Sequence, residues 1–294
     1  MSTAAPTVNL VDIYTSAKVG CPYNEDQMGL FITRNAAAAW VLDGATGFDP
    51  GVRLVDSGGS DAAWYANNLN QIFTSNIRAG FPPDGKQEDF YRHALTRARE
   101  SFNTNSRLPA DKVERCLLPS AAGILMNYHQ ETRLLTFSGL GDCIAIIKVE
   151  GENHAFTTTP SFFAESQKRE TMMKAGQYSK DDRRMLRNRM NSDEGYWIMS
   201  VHPEAADHIS VEHFQIPEGK TVYVALMSDG LERASKLLHL DHTGLINLIL
   251  DSSIGEVTHM IREKQREMGP AQLKQMGYSK ANDDITGMLL DFTP

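Results

Sequence analysis

The chain has 294 residues, 41% of them apolar and 22% charged, an ordinary composition for a globular protein long enough to bury a sizeable core. Its formal net charge of -8 argues against nucleic-acid binding, which requires a basic face, and no run approaches the ~18 uncharged apolar residues of a membrane span. Cys21, Cys116 and Cys143 include no Cys-x-x-Cys pair, so reduced thiols are expected rather than a disulfide frame or a zinc knuckle. The N-terminus lacks a basic start followed by an apolar block, which makes the cytoplasm the expected compartment.

From the N-terminus, β-formers predict strands in VNLVDIYTSAK (8–18), GLFITR (29–34) and AAAAWVLDG (36–44). Ser60 is placed to cap a helix whose apolar positions Tyr65, Leu69, Ile72 or Phe73 and Ile77 step by three and four. A second helix is predicted from Gln87 to Phe102, with Phe90, Ala94, Ala98 and Phe102 on one face. Residues 117–149 read as an antiparallel meander of LPSAAGILMNY, RLLTFSGLG and DCIAIIKVE. Residues 152–200 are polar and rich in Met and Arg, which predicts short helices and loops, and TVYVALMSDG (221–230) restores a strand. Helices around 243–251 and 254–268 and a closing strand, DITGMLLDF, complete the chain. With no repeat and no low-complexity linker, this order predicts one α+β domain over 1–294, a layered sandwich of sheets and helices.

Carboxylates recur at the ends of the predicted strands: Asn24-Glu25-Asp26, Asp43-Gly44, Gly141-Asp142, Ser228-Asp229-Gly230 and Asn282-Asp283-Asp284. A turn explains any one Asp-Gly. Gathered in space, these groups stay ionised together only with cations between them, and an all-oxygen set selects hard ions such as Mg²⁺ or Mn²⁺. A glycine after Asp43 lets the backbone carbonyl approach an ion closely.

In this order the segments NED (24–26), WVLDGATG (40–47), LPSAAGILM (118–126), SGLGDC (138–143), LMSDGLE (226–232) and NDDITGMLL (282–290) resemble the PP2C-type metal-dependent protein Ser/Thr phosphatases, particularly the bacterial branch. The resemblance spans nearly the whole chain and implies a four-layer sandwich, two antiparallel sheets flanked by helices, with a flap at about 152–200. It implies a phosphomonoesterase acting on phosphoserine and phosphothreonine in proteins through two Mg²⁺ or Mn²⁺ ions that activate a water, and a third, weaker ion. Asp43 would bridge the two ions and the Gly44 carbonyl would bind the second. Asp229 and Asp283 would hold the first from the opposite side, Glu25 and Asp26 would orient waters, and Asp142 would help with the third.

Several positions depart from the family pattern. Asp-Gly-His-Gly-Gly is common in the family where this chain has Asp43-Gly44-Ala45-Thr46-Gly47, so proton donation to the leaving group is left without a residue. The family's phosphate-gripping arginine is missing before the Glu-Asp pair, and Lys18 is the substitute there, without the bidentate fork of arginine. Asp284 stands where Asn is usual, and the following Ile285-Thr286 assigns the metal role to Asp283. A rival reading keeps the fold but not turnover: a phosphate-sensing or scaffolding module.

Other phosphate chemistries fail on the sequence. Cys-x₅-Arg is absent, since Gln27, Ala122 and Val149 stand where the arginine would be, and Phe214 stands where a P-loop leading into Gly219-Lys220-Thr221 needs glycine. His239 and His242 flank Asp241 without a third ligand and read as a solvated surface cluster. Cations concentrate at Lys168, Arg169, Lys174, Lys180, Arg183, Arg184, Arg187 and Arg189, which suggests a basic stretch attracting acidic, phosphorylated segments.

Overall fold

The computed structural model describes residues 6–49, 51–80, 86–153, 155–158, 171, 179–278 and 280–294. The strands are β1 (Thr7–Ser16), β2 (Asp26–Ile32), β3 (Ala36–Ala45), β4 (Ser120–His129), β5 (Leu134–Leu140), β6 (Ile144–Val149), β7 (Ala155–Thr158), β8 (Ser210–Gln215), β9 (Val222–Met227) and β10 (Ile285–Thr293). The helices are α1 (Asp61–Arg78), α2 (Gln87–Asn105), α3 (Lys180–Asn188), α4 (Asp229–Leu237), α5 (His242–Asp251) and α6 (Ile254–Gln275).

Two antiparallel five-stranded sheets result, in the orders β1-β10-β9-β6-β7 and β2-β3-β4-β5-β8. Strand alternation assigns their faces. In β6, Ala145, Ile147 and Val149 join the core shared with the second sheet, while Ile144 and Ile146 pack with Leu231, Leu245, Ile249 and Ile261 of the C-terminal helices. Strand β9 divides likewise, with Val222, Val224 and Leu226 on the inner side and Ala225 and Met227 on the helix side. Helices α1 and α2 cover the other sheet. The result is the expected sandwich of helices, sheet, sheet and helices.

Helix α1 begins where predicted, with the Ser60 hydroxyl accepting the Ala63 amide at 3.0 Å. Its buried face holds Tyr65, Leu69, Ile72, Phe73 and Ile77, and that of α2 holds Phe90, Ala94, Ala98 and Phe102, as their spacing predicts. Phe73 is the hub between these helices and β3: its ring centroid lies 6.3 Å from Trp40, 4.8 Å from Phe90 and 5.8 Å from Tyr91. The buried Trp40 indole donates to Asn70 Oδ1 at 2.7 Å.

Four features differ from the sequence expectation. The expected meander does not stay in one sheet: β5 pairs with β4 and β8, whereas β6 crosses over to pair with β7 and β9. Strand β8 was not anticipated because it mostly faces outward and carries no apolar run. Helix α4 begins directly at Asp229, so the apolar run of β9 passes into helix without a loop. Helix α6 continues past 268 through a bend at Gly269 and Pro270.

The basic stretch also takes on a different character. Helix α3 is capped by a reciprocal box between Ser179 and Asp182. It is fastened down by its own cations: Arg184 Nη2 donates to both Glu114 oxygens (3.0 and 2.8 Å), and Arg187 donates to the Leu118 carbonyl at 3.2 Å. Lys180 and Arg184 both lie over the Phe48 ring. Arg183 and Arg189 are exposed, and Lys168, Arg169 and Lys174 lie outside the described residues. Two of the cations expected to attract substrate are therefore structural fasteners. Among the described residues no helix is long and apolar enough to cross a membrane.

Removing the acceptor of the Trp40 indole leaves a buried N–H unsatisfied, so Asn70→Ala should destabilise the fold by about 1–3 kcal/mol. Urea unfolding followed by tryptophan emission measures this. An unchanged midpoint would show that Asn70 does not serve as that acceptor.

Candidate functional site

The β2–β3 ladder places Asp26 directly opposite Asp43. Cross-strand partners share a face, with Cβ atoms about 4.5–5.5 Å apart, so both carboxylates point toward the seam between the sheets. The other sheet delivers its acids to the same end. Strand β9 ends at Met227, Ser228 begins α4, and Asp229 is the first helical residue. The Ser228 amide donates to the Thr286 carbonyl at 3.0 Å, and its hydroxyl accepts the Thr286 amide at 3.1 Å. That clip brings Asp283 and Asp284 alongside Asp229. A Cβ on Gly230 would collide with the Asp284 carbonyl oxygen, and one on Gly44 with the Glu25 carbonyl oxygen. Both Asp-Gly pairs therefore owe their glycine to close backbone approach.

The acids differ in what neutralises them. Glu25, with its side chain 4% exposed, accepts from Lys18 Nζ at 2.7 Å and from the Thr46 hydroxyl at 2.6 Å. Burial alone would raise its carboxyl, but hydrogen bonds from Lys18, Ser60 and Thr46 outweigh burial and hold it below the usual carboxylate range. Asp284 accepts the Lys18 amide at 2.8 Å, and its other oxygen lies 3.6 Å from Lys18 Nζ. Lys18, the expected phosphate grip, is thus engaged on both sides. Burial would lower its ammonium pKa, but Glu25 and then Asp284 hold it above the ordinary value.

Asp283 receives Arg233 Nη2 at 2.6 Å and Lys280 Nζ at 3.2 Å. These two cations overcome the effect of burial and keep its carboxyl low. Arg233 Nη2 also stands 3.8 Å from Asp229. From α6, Arg262 donates to the Asp283 carbonyl at 2.6 Å and fixes the backbone there. Arg233 and Lys280 were not singled out from the sequence, although the i,i+4 spacing of Asp229 and Arg233 is a legible helical pair.

Among the described residues, Asp26 and Asp43 have no such cation in hydrogen-bonding geometry. Among the described residues neither oxygen of Asp26, which is 2% exposed, meets a donor in full hydrogen-bonding geometry, and the Ser228 hydroxyl beside it is also engaged by Thr286. Burial first, then the charges of Asp284, Asp283 and Asp229, push Asp26 well above the normal range, tempered by Ser228. Asp43, half-buried, is pushed up by burial first and then by the charges of Asp26, Asp229, Asp283 and Asp142. Asp142, between β5 and β6, adds its charge to Asp43 and Glu232. Glu232, another residue the sequence reading passed over, is driven by burial to about 7. His242, at the start of α5, stands 4.0 Å from Glu232, and Asp241 caps that helix through the Gly244 amide at 2.7 Å; His239 and Asp241 are exposed, as expected for a surface group.

Each predicted acid therefore acts electrostatically on at least one other, Glu25 on Asp284, and Lys18 bridges those two. The orphaned, buried oxygens of Asp26 and the all-oxygen donor set suit a hard divalent ion at the Asp26–Asp43 half. Among the described residues, no three acid, histidine or cysteine side chains are drawn together as a ready metal site.

The folded pKa of Asp26 lies above its unfolded value near ~3.9, so its contribution to stability is fully present below that pH and is lost as pH rises through the folded value. In buffer free of divalent ions, Asp26→Asn should stabilise the protein at pH 7–8 by about 1 kcal/mol or more, with the gain fading toward pH 4. Urea unfolding across pH measures it. A pH-independent effect would contradict the repulsion described here.

No protein-family model matches the chain, and no curated protein matches it. Solved structures do. The chain is similar to the Mycobacterium tuberculosis serine/threonine phosphatase PstP/Ppp, with 13% identity, TM-score 0.52, and coverage of 99% of this chain and 100% of that one. It is similar to the PP2C phosphatase domain, with a regulatory fragment, of the Bacillus subtilis cell fate determinant SpoIIE, with 14% identity, TM-score 0.52, and coverage of 99% and 65%. A C. elegans sex determining protein aligns at 13% identity, TM-score 0.50, over 99% and 66%. The fold is that of the PP2C-type phosphatases.

Proposed function

We propose that this chain is a Mg²⁺- or Mn²⁺-dependent phosphomonoesterase that removes phosphate from phosphoserine and phosphothreonine in proteins. The observation that carries the reading is the convergence of Asp26, Asp43, Asp229 and Asp283 from two sheets, with Asp26 buried and, among the described residues, without a paired cation. The PP2C-type fold and the serine/threonine phosphatase among its structural neighbours support it. In this reading 1–294 is a single cytoplasmic phosphatase domain, and the flap expected at about 152–200 lies in large part outside the described residues.

Asp43, the Gly44 carbonyl, Asp229 and Asp283 would hold two ions, with Glu25 and Asp26 beside them and Asp142 toward a third. When bound, such ions activate water and neutralise charge developing on the phosphoryl oxygens. The chain's own groups prepare the site around them. Lys18 and Thr46 keep Glu25 ionised and fixed in place. Lys18 couples Glu25 to Asp284, and so ties the end of one sheet to the end of the other. Glu232, titrating near neutrality beside Asp229 and Asp142, holds a proton at its carboxyl over part of the working pH range.

A second reading, a PP2C-fold module without turnover that senses phosphate or scaffolds, is favoured by one observation: Asp283 is already neutralised by Arg233 and Lys280. Hydrolysis of p-nitrophenyl phosphate with and without Mn²⁺ separates the two. The enzyme reading expects Mn²⁺-dependent turnover that falls by roughly two orders of magnitude or more in Asp43→Ala and Asp229→Ala. Absence of any metal-dependent turnover leaves the second reading.

A further inference from the structure

The carboxylates of the site are divided by an arginine. Arg233 lies one helical turn after Asp229 on α4, with its side chain 7% exposed. Its Nη2 reaches Asp283 at 2.6 Å and Asp229 at 3.8 Å. The guanidinium carbon stands 4.9 Å from the Tyr278 ring centroid, and Nη1 lies 3.4 Å from the Lys280 carbonyl. A ring face, a carbonyl and two carboxylates hold one cation there, and Lys280 adds a second on the far oxygen of Asp283. Among the described residues Asp26, across the seam, has no cation paired with it and only the Ser228 hydroxyl beside it.

We infer that Arg233 is an internal counter-ion occupying the Asp229–Asp283 half of the cluster, so that a divalent ion binds first at the Asp26–Asp43 half and a second only by displacing the guanidinium. This rests on the divalent-ion reading above and assigns Arg233 a role in setting metal stoichiometry. The physical reason is direct: a guanidinium and a divalent ion cannot share the same two carboxylates without strong like-charge repulsion, and a buried arginine does not deprotonate to relieve it. Arg233 pairs with Asp229 and Asp283 without metal, whereas among the described residues Asp26 has no paired cation. The two halves therefore differ in affinity.

The test is titration of the full chain with Mn²⁺ alone, following the loss of the free-ion electron paramagnetic resonance signal. The wild type should bind one ion, with a second at least about tenfold weaker. Arg233→Gln should tighten the second ion about tenfold, Arg233→Lys should leave it weak because the charge remains, and Asp26→Asn should weaken the first. Retention of the first ion by Arg233→Gln shows that this variant has folded. Two equivalent ions in the wild type overturn the inference without recourse to any variant, as does an unchanged second ion in Arg233→Gln, and both results leave the divalent-ion reading standing. No Mn²⁺ binding to wild type or variants overturns the inference and that reading together.

Discussion

Repulsion among carboxylates at the seam between two sheets is the constraint around which this molecule is arranged. Two unit charges about 5 Å apart repel by roughly 3 kcal/mol at an effective dielectric of 20, and here several acids share one end of the sandwich. A globular protein is stable by only about 5–15 kcal/mol in all, so such a cluster persists only if the framework is rigid and the charge is locally compensated. Both conditions are visible. The Ser228–Thr286 clip, the Arg262 bond to the Asp283 carbonyl and the tight packing of Gly44 and Gly230 fix the backbone.

Compensation is uneven. Lys18 serves Glu25 and Asp284, Arg233 and Lys280 serve Asp283, and Asp26 and Asp43 are left with raised pKa values. A cluster satisfied throughout by its own cations would be a structural network. One left wholly bare would resist folding. The intermediate arrangement, preorganised with a charge deficit on one side, suits a site that takes its remaining positive charge from an ion or a ligand.

The framework around the acids is conventional in its energetics. Apolar faces of α1 and α2 close one outer layer around Phe73 and Trp40, and those of α4, α5 and α6 close the other around Leu231, Ile249 and Ile261. Helix α3 is different: it buries no residue fully and is fastened by charged and polar contacts to Glu114, Cys116 and Leu118. Exposed ion pairs of this kind contribute modestly each, so α3 is the described helix least secured by apolar packing.

By itself the sequence determined the elements with strong local periodicity, from β1 to β3 through α1 and α2 to β10, because spacing of apolar side chains is a local property. It also singled out acids that the fold brings together, since Asp43, Asp229 and Asp283 each lie at an end of an apolar strand. The tertiary structure decided what depends on partners distant along the chain. The sheet that β6 joins follows from whether β5 or β9 offers it a free edge, and β8, with no apolar face of its own, becomes a strand only through pairing with β5. The same holds for charge. Lys18 meets Asp284 across 266 positions and Arg233 meets Asp283 across 50, separations at which no pattern in the chain marks a contact. Which acids are neutralised and which are left bare was therefore settled only in the folded chain.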